Sequence, residues 1–187
     1  METLHLITPG KEHDALVGEY IREHRAQGEN DLHGGALVEK LGSYDDWLRQ
    51  LADNAVTETV RPGWVRSSTW LVIRESDGKL IGMVDIRYEL NAFLRLYGGN
   101  IGMGIRPSER GKGYGTLILE QALELCRKEG LKEVILACNK NNPASRQLIL
   151  NYGGELEKEF ALSELGELPF QVKDQGEQVV QRYRVDI

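Results

Sequence analysis

The sequence predicts one domain of mixed α/β architecture, in which helices flank a mixed central sheet. Its 187 residues, 41% of them hydrophobic, are enough for one sizeable core but too few for two full domains. In addition, β-rich runs and amphipathic helical patterns follow one another along the chain, in an order that predicts a parallel part of the sheet around a glycine-rich turn. We therefore expect a single domain over residues 1–187.

The first part of the chain shows one short strand and two helical patterns. Residues 4–7 form a short β-rich run, and residues 11–24 carry apolar side chains at near-helical spacing. A second helix has a clearer start, because Ser43 with Asp46 three residues later resembles a capping box. The apolar stripe that begins at Trp47 then continues this helix.

An antiparallel hairpin and a further strand follow. Residues 69–74 and 80–88 are β-rich runs, and the Asp77-Gly78 pair in the short segment between them suits a tight reversal. Residues 100–106 have the composition of another strand and lead directly into the glycine-rich turn.

Two helices and three strands are predicted for the second half of the chain. An amphipathic helix follows the glycine-rich turn and ends at Gly130, while Asn142 and Pro143 have the features of a helix N-terminus. The double glycine at residues 153–154 ends that second helix. The remaining strands are expected at residues 133–138, 155–162 and 178–185.

Charge and composition argue against several classes of protein. The net charge is −6 and the isoelectric point is near 5.3, whereas nucleic-acid-binding proteins need clustered basic side chains. No apolar run approaches the roughly 20 residues that a membrane-spanning helix requires. The sequence has only Cys126 and Cys138 as cysteines and shows no basic leader, so we expect a cytoplasmic protein with reduced thiols.

The glycine-rich turn at residues 110–116 has the composition of a phosphate-binding loop. A Walker loop does not fit, because Arg106 stands where its first glycine is required. A dinucleotide fingerprint does not fit either, because its third glycine would fall on Pro107 or Thr116. What remains is a strand, the pattern Arg-x-x-Gly-x-Gly and a helix, which can hold an anion on backbone N–H groups without a metal. The alternative is a loop that only caps a helix.

Two motifs around this turn resemble those of a known enzyme family. RGKGYG at residues 110–115 and NPASRQL at residues 142–148, separated by a helix and a strand, closely resemble the central motifs of the GNAT acetyltransferases. Three further segments look like a bacterial subgroup of that family: IRYELN at 86–91, YGGNIG at 97–102 and VQRY at 180–183. The resemblance implies an acyl-CoA N-acyltransferase fold, acetyl-CoA as co-substrate and a cofactor-binding core at residues 100–154.

The resemblance also implies which residues hold the cofactor. The backbone of the turn would bind the pyrophosphate, and the strand edge just before it would pair with the pantetheine arm as an extra strand. Asn142 and Ser145 match positions near that arm, although Asn142 is equally suited to cap a helix. The expected set is Met103, Gly104, Ile105, Arg110, Gly111, Lys112, Gly113, Tyr114, Gly115, Thr116, Asn142 and Ser145.

Direct acetyl transfer needs a neutral amine, a donor for the oxyanion and a proton source for the leaving thiolate. A backbone N–H near Met103 is the expected oxyanion donor. The candidate bases are Glu89, just beyond the hairpin, and Asp85 within it. The alternative for both is a solvated or salt-bridged carboxylate, with Arg87 as a ready neighbour.

At the position where the family has its general acid, this sequence differs from the family pattern. Many GNAT enzymes have a tyrosine immediately after the residue that matches Leu148, whereas this sequence has Ile149. Tyr152 is the candidate acid that remains, with water or another residue as the alternative. Asn100 likewise replaces a histidine expected in the subgroup, which removes a titrating group.

We therefore expect direct transfer of an acetyl group from acetyl-CoA to the amine of a small molecule. Two alternatives stay open: acetylation of a protein or peptide amine, and an acetyl-CoA-binding module with weak or lost catalysis, for which Ile149 and Asn100 are the reason. No metal, nucleic-acid partner or membrane partner is expected. The sequence leaves a homodimer open and does not identify the acceptor amine.

Overall fold

Seven strands and four α-helices make up the part of the chain that the structure describes. The structure is a computed structural model, and it describes residues 2–165 and 178–187. The strands are β1 Leu4–Ile7, β2 Ser67–Arg74, β3 Leu80–Arg87, β4 Ile101–Ile105, β5 Glu133–Asn139, β6 Glu155–Ala161 and β7 Val179–Asp186. The α-helices are α1 Asp14–Ala26, α2 Tyr44–Asn54, α3 Tyr114–Lys128 and α4 Pro143–Asn151. Shorter helices lie at Lys11–His13, Val38–Lys40, Leu94–Gly98, Pro107–Glu109 and Leu162–Leu165.

The strands form two antiparallel sheets. The first has the order β1-β2-β3-β4 and the second the order β5-β7-β6. Every strand pairing in the described residues is antiparallel, contrary to the parallel part that the order of elements predicted. β4 and β5 do adjoin, and the hydrogen bonds between them run through Asn100, just before β4 begins. The mixed α/β class with flanking helices is confirmed.

Helices cover both faces of the first sheet, which explains why its strands are apolar on both sides. On one face, α1 and α2 pack through the fully buried Tyr20 and Trp47. On the other face, α3 packs through Ile118. The neighbouring residues Met83 and Val84 of β3 point to opposite faces, so that Met83 packs in the core with α1 and α2 and Val84 in the core with α3.

Local sequence signals placed the starts of α2 and α4 correctly. Ser43 Oγ accepts a hydrogen bond from the Asp46 amide at 3.1 Å, and Asn142 Oδ1 accepts one from the Ser145 amide at 3.0 Å. Both side chains satisfy N–H groups that the first turn of a helix leaves unpaired. The hairpin of β2 and β3 is also present as predicted. Among the described residues, no helix has the length and apolar character needed to cross a membrane.

Candidate active site

The glycine-rich turn lies between β4 and α3, as the sequence predicts. Gly111 and Gly113 adopt the left-handed conformation, with φ of 75° and 83°, which residues with a side chain rarely adopt. No atom of the described residues outside their immediate chain neighbours lies within 4 Å of the place where a β-carbon at either glycine would be. The turn is therefore open on this side, and the unpaired N–H groups at the start of α3 are available to an anion.

Arg110 is held by a carboxylate on the segment after α1. Its Nη1 and Nη2 atoms donate to Glu29 Oε1 and Oε2 at 2.6 and 2.7 Å, and its Nε donates to the Ile105 carbonyl oxygen at 3.1 Å. The hydrogen bonds from Arg110 lower the pKa of Glu29 to about 2. Arg110 therefore anchors the turn to its surroundings, and its charge is already paired.

Lys112 is paired as well, with the buried carboxylate of Glu109. The same carboxylate accepts hydrogen bonds from Lys112 Nζ at 2.9 Å, Arg74 Nη1 at 2.9 Å and Lys79 Nζ at 2.6 Å. Burial is the largest influence and raises the pKa of Glu109, but the cations outweigh it and bring that pKa to about 2. Glu109 shares its single negative charge among three cations, so Lys112, whose side chain is 50% exposed, can still attract an anion alongside the backbone N–H groups.

Three of the predicted cofactor-binding segments meet at Gly115. A β-carbon at Gly115 would lie 3.5 Å from Ile105 Cδ1 and 3.5 Å from Leu148 Cδ2, so the end of β4, the first turn of α3 and the middle of α4 are in contact there. Tyr114 points into the core, and its hydroxyl accepts a hydrogen bond from Arg74 Nη1 at 3.0 Å. Tyr114 thus contributes only its backbone to the open side of the turn.

Asn142 and Ser145 lie at the N-terminus of α4, next to the end of β5. Asn142 caps the helix through the Ser145 amide, which is the structural role that the sequence allowed. Burial raises the pKa of the Cys138 thiol, and a hydrogen bond with the Ser145 side chain offsets part of this rise. Ser145 therefore links the start of α4 to β5.

β4 has one paired edge and one open edge. It pairs with β3 from Ile101, opposite Ile86, to Ile105, opposite Gly82, and within the described residues no ladder joins it to β5. The backbone groups of residues 103–105 that point away from β3 are therefore free to pair with an extended ligand.

The loop between α1 and α2 lies directly on the glycine face of β4. A β-carbon at Gly34, whose φ is 76°, would lie 2.9 Å from both the Gly102 carbonyl oxygen and Met103 Cα. A β-carbon at Gly104 would crowd the carbonyl oxygen of His33. The absence of side chains at Gly34 of the loop and Gly104 of β4 thus lets the loop approach, and it places the exposed His33 beside β4.

Asn100 joins the two sheets at the point where β4 and β5 separate. Its amide donates to the Ile135 carbonyl oxygen at 2.7 Å, and its Oδ1 accepts from the Ile135 amide at 2.7 Å. On its other side, its Nδ2 donates to the Arg87 carbonyl oxygen at 2.9 Å, and its own carbonyl oxygen accepts from the Arg87 amide at 2.7 Å. The buried side-chain amide therefore continues the hydrogen bonding of both sheets.

The two candidate bases have different surroundings. Asp85 is 4% exposed, accepts a hydrogen bond from Thr69 Oγ1 at 3.0 Å and lies 3.0 Å from Arg87 Nε. Glu89 is exposed, and it has no hydrogen bond or ion pair with the residues that the structure describes. Glu89 is therefore the free carboxylate of the two. Over residues 2–165 and 178–187, no group of three or more His, Cys, Asp or Glu side chains is arranged to hold a metal ion.

Glu89 lines a cleft of about 540 Å³ next to Asn100. Because Asn100 precedes β4 and the glycine-rich turn follows it, the cleft and the turn lie at opposite ends of this strand. The charged walls of the cleft are Glu89, Arg95, Glu133, Glu157 and Arg182, and its apolar walls are Leu90, Leu131, Ile135 and the ring of Tyr88.

Tyr152 and Ile149, near the end of α4, face different parts of the molecule. The Tyr152 hydroxyl donates to the Thr116 carbonyl oxygen at 3.0 Å, which links α4 to the first turn of α3. Burial raises the pKa of Tyr152. Ile149 is 3% exposed and packs in the main core. The structure thus brings Tyr152 to the predicted pyrophosphate site and directs Ile149 inward.

The sequence profile of the acetyltransferase (GNAT) family matches residues 39–153. These residues make up more than half of the chain and include the glycine-rich turn, β4, β5 and α4. The chain belongs to the GNAT acetyltransferase family. GNAT acetyltransferases are N-acyltransferases, so the protein is an enzyme of that class.

Solved structures of GNAT proteins share this fold. A GNAT acetyltransferase from Streptococcus pneumoniae superimposes with a TM-score of 0.64 over 99% of this chain and 100% of its own, at 19% identity. The microcin C7 self-immunity acetyltransferase MccE, solved with acetyl-CoA and AMP, superimposes with a TM-score of 0.68 over 98% of this chain and 92% of its own, at 15% identity. Mutant forms of the spermidine/spermine N-acetyltransferase SpeG from Vibrio cholerae superimpose with a TM-score of 0.64 over 98% of this chain and 93% of their own, at 17% identity. No curated protein matches the sequence.

Sequence reasoning missed four of the five charged side chains that line the cleft, and one of them, Glu133, opens β5. Arg95 lies on the helix Leu94–Gly98, while Glu157 and Arg182 lie on β6 and β7. The sequence did contain a signal for the helix Leu94–Gly98, because asparagine often caps a helix. Asn91 Oδ1 accepts a hydrogen bond from the Leu94 amide at a distance of 2.8 Å. Glu157 and Arg182 had no local signal, because their approach depends on how β6 pairs with β7.

Proposed function

We propose that this chain transfers an acetyl group from acetyl-CoA directly to the amine of a small molecule. The observation that carries the proposal is the meeting of the glycine-rich turn, the end of β4 and α4 at Gly115, in a chain of the GNAT family. MccE, which shares the fold, is solved with acetyl-CoA. The cleft of about 540 Å³ next to Asn100 has the size of a small-molecule pocket, which favours such an acceptor over a protein segment.

The cofactor pyrophosphate would lie on the backbone N–H groups of residues 111–115, because the Arg110 and Thr116 amides already donate to the carbonyl oxygens of Pro107 and Gly113 at 3.3 and 3.2 Å. Arg110 is already paired with Glu29, so these N–H donors, the N-terminal dipole of α3 and the half-exposed Lys112 would provide the attraction. The pantetheine amides would pair with residues 103–105 of β4, as an added strand does. Asn142 and Ser145 would flank this arm from the start of α4.

Glu89 is our candidate general base, because it is the carboxylate near β4 that lacks a partner in the described residues. It would take a proton from the acceptor ammonium, and the amine nitrogen would then attack the thioester carbon. A backbone N–H of residues 103–105 would donate to the oxyanion, after which the carbon–sulfur bond breaks. The thiolate would take a proton from water, with Tyr152 as the alternative donor. Asp85, already paired, would hold Arg87 in position.

The two thiols support direct transfer, without an acyl-enzyme on cysteine. Both are buried; burial raises the pKa of Cys126 to about 11 and also raises that of Cys138. A thiol in such surroundings is a poor nucleophile at neutral pH. We therefore expect Cys138→Ala to leave the acetylation rate within a factor of about three, and we propose a reducing, cytoplasmic setting for the protein.

A CoA-binding assay and an amine panel test the proposed function. The melting temperature should rise with CoA, because a ligand that binds only the folded state stabilises it. Thiol release from acetyl-CoA is then followed with amino acids, polyamines, aminoglycosides and a peptide with a free N-terminus. Turnover of a small amine supports the proposal. Turnover of the peptide alone would indicate a protein acetyltransferase, CoA binding without any turnover would indicate a binding module, and no binding of CoA would refute the proposal.

A further inference from the structure

The cleft next to Asn100 contains one carboxylate and one guanidinium that lack partners among the described residues. Glu89 and Arg95 both line the cleft, and both side chains are exposed. Neither makes a side-chain hydrogen bond or an ion pair with residues 2–165 or 178–187. The cleft therefore presents an unsatisfied negative charge and an unsatisfied positive charge to the same volume.

The other charged walls of the cleft already have partners. Arg182 Nε lies 3.2 Å from Glu157 Oε2, and Arg184 Nη1 lies 3.8 Å from Glu133 Oε2. Each of these wall charges therefore has an ion-pair partner within the protein, and Arg184 is shared with Glu155, Glu157 and Asp186 as well. The selectivity of the cleft for charge then depends on Glu89 and Arg95.

The helix that carries Arg95 is fixed at both ends. Asn91 Oδ1 accepts from the Leu94 amide at 2.8 Å at its start, and Arg87 Nη1 donates to the Gly98 carbonyl oxygen at 3.1 Å at its end. These bonds hold the backbone of the helix before any ligand binds. The backbone position from which the Arg95 side chain extends is therefore fixed, whereas the side chain itself is exposed.

The uncharged walls of the cleft are apolar. Leu90, Leu131 and Ile135 line it together with the ring of Tyr88. A hydrocarbon group would lose contact with water by packing against these side chains, which favours its binding. The cleft thus combines an anion, a cation and an apolar wall.

We propose that the acetyl acceptor is an α-amino acid with an apolar side chain, held with its ammonium at Glu89 and its carboxylate at Arg95. This inference rests on the proposed function and names the substrate class of the same site. An Arg guanidinium can bind a carboxylate through two parallel hydrogen bonds, whereas it repels the second ammonium of a polyamine. An amine without an anionic group would leave Arg95 unpaired.

The reaction at this site balances without a further reactant. Glu89 takes one proton from the ammonium, the nitrogen lone pair forms a bond to the thioester carbon, and the carbon–sulfur bond breaks. The nitrogen loses its second proton, and the CoA thiolate gains one. The products are the N-acetyl amino acid, CoA and one proton, which Glu89 releases to the solvent.

Four amines of graded charge test the inference. L-Leucine carries both charges, L-leucinamide and 3-methylbutylamine keep the amine and lose the carboxylate, and spermidine adds further ammonium groups. With acetyl-CoA saturating, thiol release gives kcat/KM for each amine. We expect L-leucine to exceed L-leucinamide by roughly 10- to 100-fold, the range of a hydrogen bond between charged groups.

Substitutions at Arg95 separate recognition of the carboxylate from a change in folding. Arg95→Gln should raise the KM for L-leucine roughly 10- to 100-fold and leave L-leucinamide within a factor of three, and Arg95→Lys should recover part of the loss. Arg22→Gln, on the exposed face of α1 and outside the cleft, is the matched control and should change neither substrate. Calorimetric binding of L-leucine to the CoA-saturated protein provides a second measurement for the same variants.

The outcomes distinguish this inference from the proposed function. If the kcat/KM for L-leucinamide or spermidine equals that for L-leucine, the zwitterion assignment is wrong while acetyl transfer stands. The same conclusion follows if Arg95→Gln leaves the ratio of kcat/KM for L-leucine to that for L-leucinamide unchanged. If CoA binds but L-leucine neither binds nor reacts, the assignment is wrong as well. Failure to bind CoA would instead refute the proposed function. Even then, the amino-acid site would be supported if the wild type binds L-leucine and Arg95→Gln abolishes that binding.

Discussion

The two ends of β4 are built from different parts of the polypeptide. At the Ile105 end, the glycine-rich turn offers backbone N–H groups, and the cations of the turn are paired with carboxylates of the same chain. At the Asn100 end, the cleft is formed by side chains, and two of opposite charge, Glu89 and Arg95, have no partner in the described residues. One end is a backbone site and the other is a side-chain site.

This difference matches the two tasks of an acetyltransferase. A backbone site recognises a group that is the same in every turnover, here the CoA pyrophosphate in our proposal, and it needs a fixed conformation more than particular side chains. A side-chain site selects among acceptors, and its specificity changes when one charge is replaced. Substitutions at the Ile105 end should therefore affect CoA binding, whereas substitutions in the cleft should affect the choice of amine.

The largest effect is expected for Gly113→Asp. The new carboxylate would lie on the open side of the turn, where the pyrophosphate is proposed to bind, and repulsion between like charges costs several kcal/mol. We expect CoA affinity to fall by about 100-fold or more, which corresponds to roughly 2.7 kcal/mol. Calorimetric titration with CoA measures this change.

Gly130→Asp is the matched control for that substitution. Gly130 also has a positive φ, 86°, and also lacks described neighbours within 4 Å of a β-carbon, but it lies at the opposite end of α3. Both variants should therefore lose similar stability from backbone strain, about 1 kcal/mol. Equal CoA affinity in the two variants would contradict the anion site at the turn.

The next largest effect is expected for Asn100, which joins the two sheets at one end of β4. Asn100→Ala removes the acceptor for the Ile135 amide and the donor for the Arg87 carbonyl oxygen, both in buried surroundings. We expect the free energy of unfolding to fall by about 2–3 kcal/mol in urea titrations. Asn30→Ala, at an exposed loop position, should change it by less than about 0.5 kcal/mol. A similar small change in both variants would show that Asn100 does not hold the sheets together.

The cofactor end could be predicted from the sequence because its signals are local. The glycines of the turn, the cap at Asn142 and the Asp77-Gly78 reversal each fix a conformation through neighbouring residues. The turn, its flanking strand and helix, and the start of α4 therefore lie where the sequence predicts.

The cleft and the sheet joint could not be predicted, because they depend on contacts between distant segments. Arg95 and Arg182 meet only after the helix Leu94–Gly98 packs beside β7, where Arg182 Nη1 donates to the Arg95 carbonyl oxygen at 3.1 Å. Asn100 was interpreted as a missing histidine, yet its amide serves as a structural link between β3 and β5. A single sequence does not contain the register that brings these residues together.

A smaller effect, dependent on pH, is expected for Glu109, the buried carboxylate that pairs with Lys112 of the turn. The pKa of Glu109 is about 2, below its ordinary value of 4.5, so its stabilisation is fully present above that value and is lost as the pH falls through about 2. Glu109→Gln should lower the free energy of unfolding at pH 7 by about 1–3 kcal/mol. The difference from the wild type should narrow between pH 5 and pH 2.

Glu124→Gln is the control for the pH dependence. Glu124 is 54% exposed and pairs only with Arg127 in the described chain, one turn along α3, so its loss should have little effect at any pH. Urea titrations of both variants at pH 7, 5, 4 and 3 make the comparison. A constant difference between Glu109→Gln and the wild type over this range would show that the Glu109 charge does not stabilise the turn.

The smallest effect is expected for Tyr152→Phe, which removes the hydroxyl that donates to the Thr116 carbonyl oxygen. Tyr44→Phe is a close match, because the Tyr44 hydroxyl donates to the Gly10 carbonyl oxygen at 2.9 Å and its ring packs in the core with α1 and α2, not in the core with α3. Each variant should lose about 0.5–1 kcal/mol of stability, the usual net value of one hydrogen bond.

If water protonates the leaving thiolate, both variants should also keep turnover within a factor of three. A drop of about tenfold or more in Tyr152→Phe alone, with CoA affinity unchanged, would instead make Tyr152 the general acid, because acid catalysis contributes at least about that much. The backbone end of β4 would then contribute a side chain to the chemistry, and the division between a backbone site and a side-chain site would hold for binding but not for catalysis.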